Sequence, residues 1–356
     1  MRRKLFLFFI LAIIALSGYF IYSYYGENVY TVPEVYDGVV IAPRNDIALD
    51  NPYGEVKWNS YSMYKANLHT HTRESDGLYS PGRVIDTYKE NGYDILALAD
   101  HNHVTWPWQD YGRNPDELGM LAVQANEISD THHIGSYFSD YDIDGMKYRP
   151  ILWKTGEKAD IDEEEVIKNI GDKNGLAVFF HPGRYDYTPD FYRNFYLEHD
   201  HLIGMEVINQ RDRYPYDREI WDDVLTLLMP ERPVWGFSND DMHTMGHLGY
   251  CYNIFPLPEL SEESFRDAME NGQFYFSYGK EAPEIKSLEL DNDEGLIRIE
   301  ATGWNEIVWY SDSRVIHHGS TLNFREIPNV GSYVRAKIMG NSGNTYTNPF
   351  GVRNIF

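Results

Sequence analysis

The sequence predicts an α/β protein with a largely parallel sheet, followed by a short all-β region. Two observations carry this expectation. Between residues 66 and 279 short apolar runs alternate with helical stretches, and after Gly279 the helical pattern stops. A third observation locates the working end of the sheet. Histidines and carboxylates follow the apolar runs, and α/β proteins build their sites where parallel strands end.

The apolar runs are residues 95–99, 121–123, 177–180 and 234–237, and the helical stretches are 81–91, 162–174, 215–229 and 262–271. This alternation implies crossover connections and a sheet that is either open or closed into a barrel. Beyond it, period-two segments at 285–290, 296–301, 306–310 and 333–338 predict a small antiparallel, sandwich-like β domain over residues 281–356.

The first 25 residues form a unit of their own. Met1-Arg2-Arg3-Lys4 precedes an uncharged apolar run over 5–24. A run of about 20 residues is enough to cross the hydrocarbon core as a helix. Basic residues before it and none soon after place the N-terminus inside and the rest outside the cytoplasmic membrane. Tyr19, Tyr22, Tyr24 and Tyr25 favour an uncleaved single-pass anchor in the cell membrane. Ala15-Leu16-Ser17-Gly18 offers the alternative, a cleaved signal peptide and a secreted protein. Residues 26–62, with Pro33, Pro43 and Pro52, read as an extended lead-in to a domain spanning 63–280.

Composition narrows the function. A net charge of −24 argues against coating a long nucleic acid, which needs Lys and Arg to neutralise phosphates. An anionic substrate would then require a local positive charge, and bound cations would supply one. The lone Cys251 excludes an intramolecular disulfide and a multi-thiolate metal site, so it reads as a buried small hydrophobe. The 29 Tyr and 8 Trp are also compatible with a glycan or envelope partner for the C-terminal β domain.

The chemistry-bearing residues sit at the ends of the apolar runs. His69 and His71 are spaced i, i+2, so in extended chain they share one face and converge on one point. Asp76 follows in a turn, Asp100-His101 ends the run at 95–99, and Glu127 closely follows 121–123. His181 ends 177–180, and Asp241 and His243 form a second i, i+2 pair after 234–237. Burying so many ionisable groups together is costly unless something neutralises them, which points to metal. Oxygen and nitrogen donors without thiolate suit Zn, Mn or Fe.

His69-Thr70-His71-Thr72, Ser75-Asp76-Gly77, Gly92-Tyr93-Asp94 and Leu98-Ala99-Asp100-His101-Asn102 together resemble the opening signature of the PHP (polymerase and histidinol phosphatase) superfamily. Glu127-Ile128-Ser129, His133-Ile134-Gly135, His181-Pro182-Gly183 and Asp241-Met242-His243 match its later motifs in order, and Asn271-Gly272-Gln273-Phe274-Tyr275 resembles its closing segment. The resemblance implies a distorted (β/α)7 barrel with two or three divalent ions. One ion would take His69, His71, Glu127 and Asp241; a second would share Glu127 and add His133 and His181. A third would take Asp76, His101 and His243. His132, beside His133, is the competing ligand, and the following Ile134-Gly135 favours His133.

Six neutral imidazoles and three carboxylates carry about −3, so three divalent ions and a bridging hydroxide leave the centre at about +2, suited to a phosphate. The implied activity is hydrolysis of phosphate mono- or diesters by metal-bound hydroxide, with a small substrate such as a nucleotide or sugar phosphate. Asp100 is a candidate for orienting a ligand or shuttling a proton, and Arg184 for a bidentate contact to phosphate. The alternatives are amidohydrolase-like hydrolysis of non-phosphorus bonds at the same ions, or a non-catalytic envelope or polysaccharide-binding protein.

Overall fold

The computed structural model describes residues 40–129, 131–143 and 161–355. The apolar run at 5–24 lies outside them; among the described residues no helix is long and apolar enough to cross a membrane.

In chain order the elements are β1 (Ile47–Asp50), β2 (Ser62–Asn67), α1 (Pro81–Glu90), β3 (Ile95–Ala97), α2 (Pro115–Leu118), β4 (Leu121–Val123), β5 (Ala125–Ile128) and β6 (Ile134–Tyr137). There follow α3 (Glu163–Asp172), β7 (Leu176–Phe179), α4 (Pro189–Glu198), β8 (Leu202–Asn209), α5 (Asp217–Leu228), β9 (Trp235–Asn239), β10 (Cys251–Leu257), α6 (Glu262–Asn271) and β11 (Tyr275–Glu281). The rest is strand: β12 (Glu284–Asp291), β13 (Leu296–Thr302), β14 (Trp304–Ser311), β15 (Arg314–His318), β16 (Thr321–Asn323), β17 (Tyr333–Gly340), β18 (Ser342–Thr347) and β19 (Phe350–Asn354). The protein is therefore α/β with a C-terminal β region.

The four helical stretches expected from periodicity are α1, α3, α5 and α6. Their caps are local: Asp162 accepts from Glu165 N at the start of α3, and Ser261 accepts from Ser264 N at the start of α6. Helix α4 and strand β8 are among the elements that had not been expected. Helix α4 buries Tyr192 and Tyr196, an i, i+4 pair of large rings. Strand β8 is buried at all eight positions.

The strands form three sheets. One has eleven strands, with the path β1-β19-β17-β18-β11-β10-β2-β3-β4 and with β14 and β15 branching from β17. A second has the order β5-β6-β7-β8-β9, and a third is β12-β13-β16. Among the described residues the strands do not close into the distorted (β/α)7 barrel that the resemblance implies, and there are two physical reasons. The β5–β6 connection is too short for a crossover helix, so β6 pairs antiparallel with β5 and also with β7. On the other side, β2 gives its outer edge to β10, antiparallel, which extends the sheet toward the C-terminal strands.

What remains of a ring is confined to one rim. Isolated parallel bridges join Thr70 to Met242 and His101 to Glu127. His71 N donates to Met242 O, Ala99 N to Thr70 O and Glu127 N to Asp100 O, so the extensions of β2, β3, β5 and β9 are stitched together just past the strand ends.

The core between the two large sheets contains Ala66, Leu68, Ile95, Ala97, Val178, Phe180 and Phe237. Helices α3, α4 and α5 cover the outer face of the five-stranded sheet through Val166, Ile170, Tyr192, Tyr196, Trp221 and Leu225. A separate core fills the C-terminal strands and includes Ile47, Leu49 and Tyr53 from the lead-in, whose β1 pairs with β19. Cys251 is buried and free, as its sequence context suggested.

Candidate metal centre

All nine groups read from the sequence as ligands meet at the stitched rim. Glu127, on β5, is the hub. Its Oε1 lies 2.6 Å from His133 Nδ1 and 3.1 Å from His181 Nε2. Its Oε2 lies 3.0 Å from His101, 3.2 Å from His71 and 3.4 Å from His69 ring nitrogens. Asp241 Oδ1 is 3.0 Å from His71, 3.3 Å from His69 and 3.4 Å from His243. Asp76 faces His243 at 3.2 Å and both His71 and His101 at 3.5 Å.

The chain delivers these side chains by leaving its strands abruptly. Asn102, His181 and Asp241 have φ of 56°, 32° and 42°, in the left-handed region that L side chains rarely occupy. Each such residue costs on the order of 1–3 kcal/mol, and such strain gathers at functional sites. Gly77 supplies another tight turn: a Cβ there would fall 2.4 Å from His71 O, so only glycine lets the loop fold back beside Asp76.

The site opens on one side. The side chains of His69, His71 and Glu127 are at most 1% exposed, whereas Asp76 and His243 are 17% and 25% exposed. Leu78, whose N donates to His243 O, is 55% exposed beside that mouth. Arg184, half-buried, lies within the electrostatic reach of Glu127 and Asp241, which with Tyr185 and Tyr214 hold its charge against the cost of burial.

The electrostatics are those of lone pairs forced together. Burial pulls the His69 imidazolium down, but Asp241, Glu206 and Glu127 outweigh it and raise its pKa to about 10. His101 is likewise raised to about 9 against burial, chiefly by Glu127. Burial dominates at His133, which falls to about 3 in spite of Glu127. Glu127 and Asp241 are held well below the carboxylate range by the histidines around them, although burial acts the other way. Without a guest cation this centre is held together only by protons borrowed by histidines.

The donor set fits divalent metal. His69 Nε2 and His71 Nε2 face each other at 3.1 Å. Four groups of three or four of these residues place one donor atom each within 4.8 Å: His71, Asp76, His101 and His243; His69, His181 and Asp241; His69, His71 and Glu127; His101, Glu127 and His133. Imidazole and carboxylate donors converge there without thiolate, a set that suits Zn, Mn or Fe. Overlapping groups that share Glu127 are what a centre of more than one ion needs.

His132 is not part of it. Its ring is sandwiched against Tyr185 and bonds to Tyr192 Oη and His133 O, at 3.0 Å each. Asp100 lies behind the ligands. It accepts from Thr72 N and Thr72 Oγ1 at 2.7 Å, Thr105 Oγ1 at 2.6 Å and Ser75 Oγ at 2.5 Å. Ser75 Oγ in turn lies 3.3 Å from His71 Nδ1, so Asp100 reaches the centre through Ser75.

One buried carboxylate beside the centre carries no motif in the sequence. Glu206, in the middle of β8, is fully buried against His69 Nδ1 at 2.9 Å. A lone carboxylate inside an otherwise apolar strand was the available signal.

Fold and side chains define an α/β protein with a buried multi-histidine, multi-carboxylate centre at its strand ends. No family model matches the chain, and no curated protein matches it. Among solved structures it is similar to a two-domain protein from Bacteroides vulgatus containing a predicted PHP-like metal-dependent phosphoesterase, at 15% identity over 88% of this chain and 91% of that one, with a TM-score of 0.48. It is also similar to an amidohydrolase from Chromobacterium violaceum, at 17% identity, 59% and 96% coverage and a TM-score of 0.42. A third likeness is to a lesion-specific endonuclease from Pyrococcus furiosus, at 16% identity, 59% and 56% coverage and a TM-score of 0.39. The chemistry of the site has to come from its own atoms.

Proposed function

We propose that this chain is a metal-dependent phosphoesterase of the PHP superfamily that hydrolyses small phosphate mono- or diesters. The observation that carries the reading is the convergence of six imidazoles and three carboxylates around Glu127, in the motif order of that superfamily. His69, His71, Glu127 and Asp241 would hold one ion, Glu127, His133 and His181 a second, and Asp76, His101 and His243 a third. Divalent ions there would lower the pKa of a coordinated water to near neutrality and offset negative charge on phosphate oxygens.

The chain's own groups do the rest. Asp76 and His243 line the mouth, so a phosphate enters on their side. Arg184 supplies a fixed cation that can pair with phosphate oxygens in fork geometry. The buried walls of the centre, with Phe180 stacked on His69 at 3.9 Å, keep bulk water away and strengthen each electrostatic contact. The basic start and the apolar run over 5–24 support an anchored or exported protein acting outside the cytoplasmic membrane.

The test is direct. The purified chain, supplied with Zn, Mn or Fe, should release nitrophenol from nitrophenyl phosphate or from bis-nitrophenyl phosphate, and chelator should stop it. Turnover of a carboxylic ester or amide panel with no phosphoester cleavage would contradict the reading.

A further inference from the structure

Strand β8 is buried at every position, and its one charge is Glu206. Four donors surround that carboxylate in two pairs. Oε1 takes His69 Nδ1 and Asn239 Nδ2, each at 2.9 Å. Oε2 takes His181 N at 3.0 Å and Asn209 Nδ2 at 2.9 Å. Glu206 thus holds the ring of one rim histidine and the backbone of another, and itself faces none of the nine groups with an open lone pair.

We infer that Glu206 is a positioning residue that locks His69 in the tautomer carrying its proton on Nδ1. Nε2 is then left as a bare lone pair aimed at His71 Nε2, Glu127 and Asp241. The inference rests on the proposed metal centre for its purpose, but its tautomer claim concerns this chain alone. A neutral imidazole has one donor and one acceptor nitrogen, and the partner of one decides the state of the other. Each oxygen of this acceptor-only carboxylate meets two donors, so its lone pairs are satisfied. His69 stacks on Phe180 on one face, so the ring cannot swing to another partner without losing that contact.

The geometry makes Glu206→Gln a sharp probe, because the amide has the same shape but only one accepting oxygen. If its NH2 turns toward Oε1's place, it meets His69 Nδ1 and drives the ring proton to Nε2, where it blocks the metal side. If it turns the other way, it meets the His181 N–H and Asn209 NH2, donor against donor. Either orientation disturbs a rim histidine. Asn209→Ala is the matching control, since it removes one donor from the same carboxylate and leaves His69 Nδ1 untouched.

The experiment measures zinc affinity of the full chain by chelator competition, and the histidine ring 15N–1H spectrum, with the His69 signal identified by its loss in His69→Gln. Circular dichroism confirms that each variant is folded. With zinc bound, which leaves the His69 ring neutral, wild type and Asn209→Ala should show its proton on Nδ1 and similar affinity. Glu206→Gln should bind zinc about tenfold or more weakly, and should lose that signal where its NH2 faces His69 Nδ1. A Glu206→Gln protein with the Nδ1 proton in place and unchanged affinity overturns the inference, as does a wild type whose neutral His69 ring carries its proton on Nε2. A wild type that takes up no zinc, manganese or iron instead sinks the proposed function, while the two His69 ring 15N shifts, read above about pH 10 where the ring is neutral, still decide the part played by Glu206.

Discussion

Two regions of this molecule bury carboxylates, and they do it in opposite ways. At the joint between α5 and β17, Asp222 is gripped by the Arg335 guanidinium through both of its forked nitrogens, with Nε at 2.6 Å, and by Tyr333 Oη at 2.7 Å. Asp240 is enclosed similarly, by the backbone N–H of Gly249, Tyr250 and Cys251 and the hydroxyls of Tyr88 and Tyr93. Every oxygen there meets a group that carries its own proton. One residue further on, Asp241 turns through a left-handed backbone and meets only histidines, as do Glu127 and Asp76 in their ion pairs among the described residues. The first arrangement is complete as folded. The second is complete only with a cation.

The comparison can be broken most decisively at the rim. His69→Ala with His71→Ala should reduce phosphoesterase turnover by about 10³-fold, several kcal/mol of transition-state stabilisation, with the far-ultraviolet dichroism of wild type. The complete cluster should behave in the reverse manner. Asp222→Ala strands a buried guanidinium and should cost about 3–5 kcal/mol in urea unfolding, with metal content unchanged.

Acidity sharpens the contrast. His69 and His101 have folded pKa values of about 10 and 9, above the ordinary histidine value. A raised pKa contributes stability that is fully present below the unfolded value and is lost as pH rises through the folded one. Chelated protein should therefore lose stability progressively as pH rises from about 6.5 through 9 and 10, and its urea midpoint should fall across that range. Zinc-loaded protein, with the same nitrogens already occupied, should not show that decline.

Smaller effects test the edges of the site. Arg184→Ala removes the cation proposed to pair with phosphate oxygens and should raise KM for a phosphoester about tenfold, with kcat less affected. His132→Gln loses one of two ordinary buried hydrogen bonds and should cost about 1 kcal/mol in unfolding without altering metal content. A comparable loss of metal in His132→Gln would mean that the His132–His133 pair has been read in the wrong order.

Much of the site was legible because metal ligands obey strand arithmetic. Two i, i+2 pairs and single groups at the ends of apolar runs were visible as such in His69, His71, Asp241 and His243. Ile134-Gly135 already favoured His133 over His132, and the fold turns one ring to Glu127 and the other to Tyr192. Glu206 was hidden because β8 itself was not recognised: Leu202 to Asn209 follow an aromatic helix with no strong punctuation between. Closure of the barrel failed for a reason the chain does contain. The stretch between Ile128 and Ile134 is too short for a crossover, and that count decides β6's direction. The pairing of β2 with β10 had no such local signature, because strand partners far apart in sequence are chosen by the whole core.

The account stands on the claim that the rim holds divalent ions, and metal analysis of the purified full chain tests it most directly. After exposure to zinc or manganese and exhaustive desalting, wild type should retain two or three ions per chain, and His69→Ala with His71→Ala should retain fewer. A folded wild type that emerges with none would contradict it.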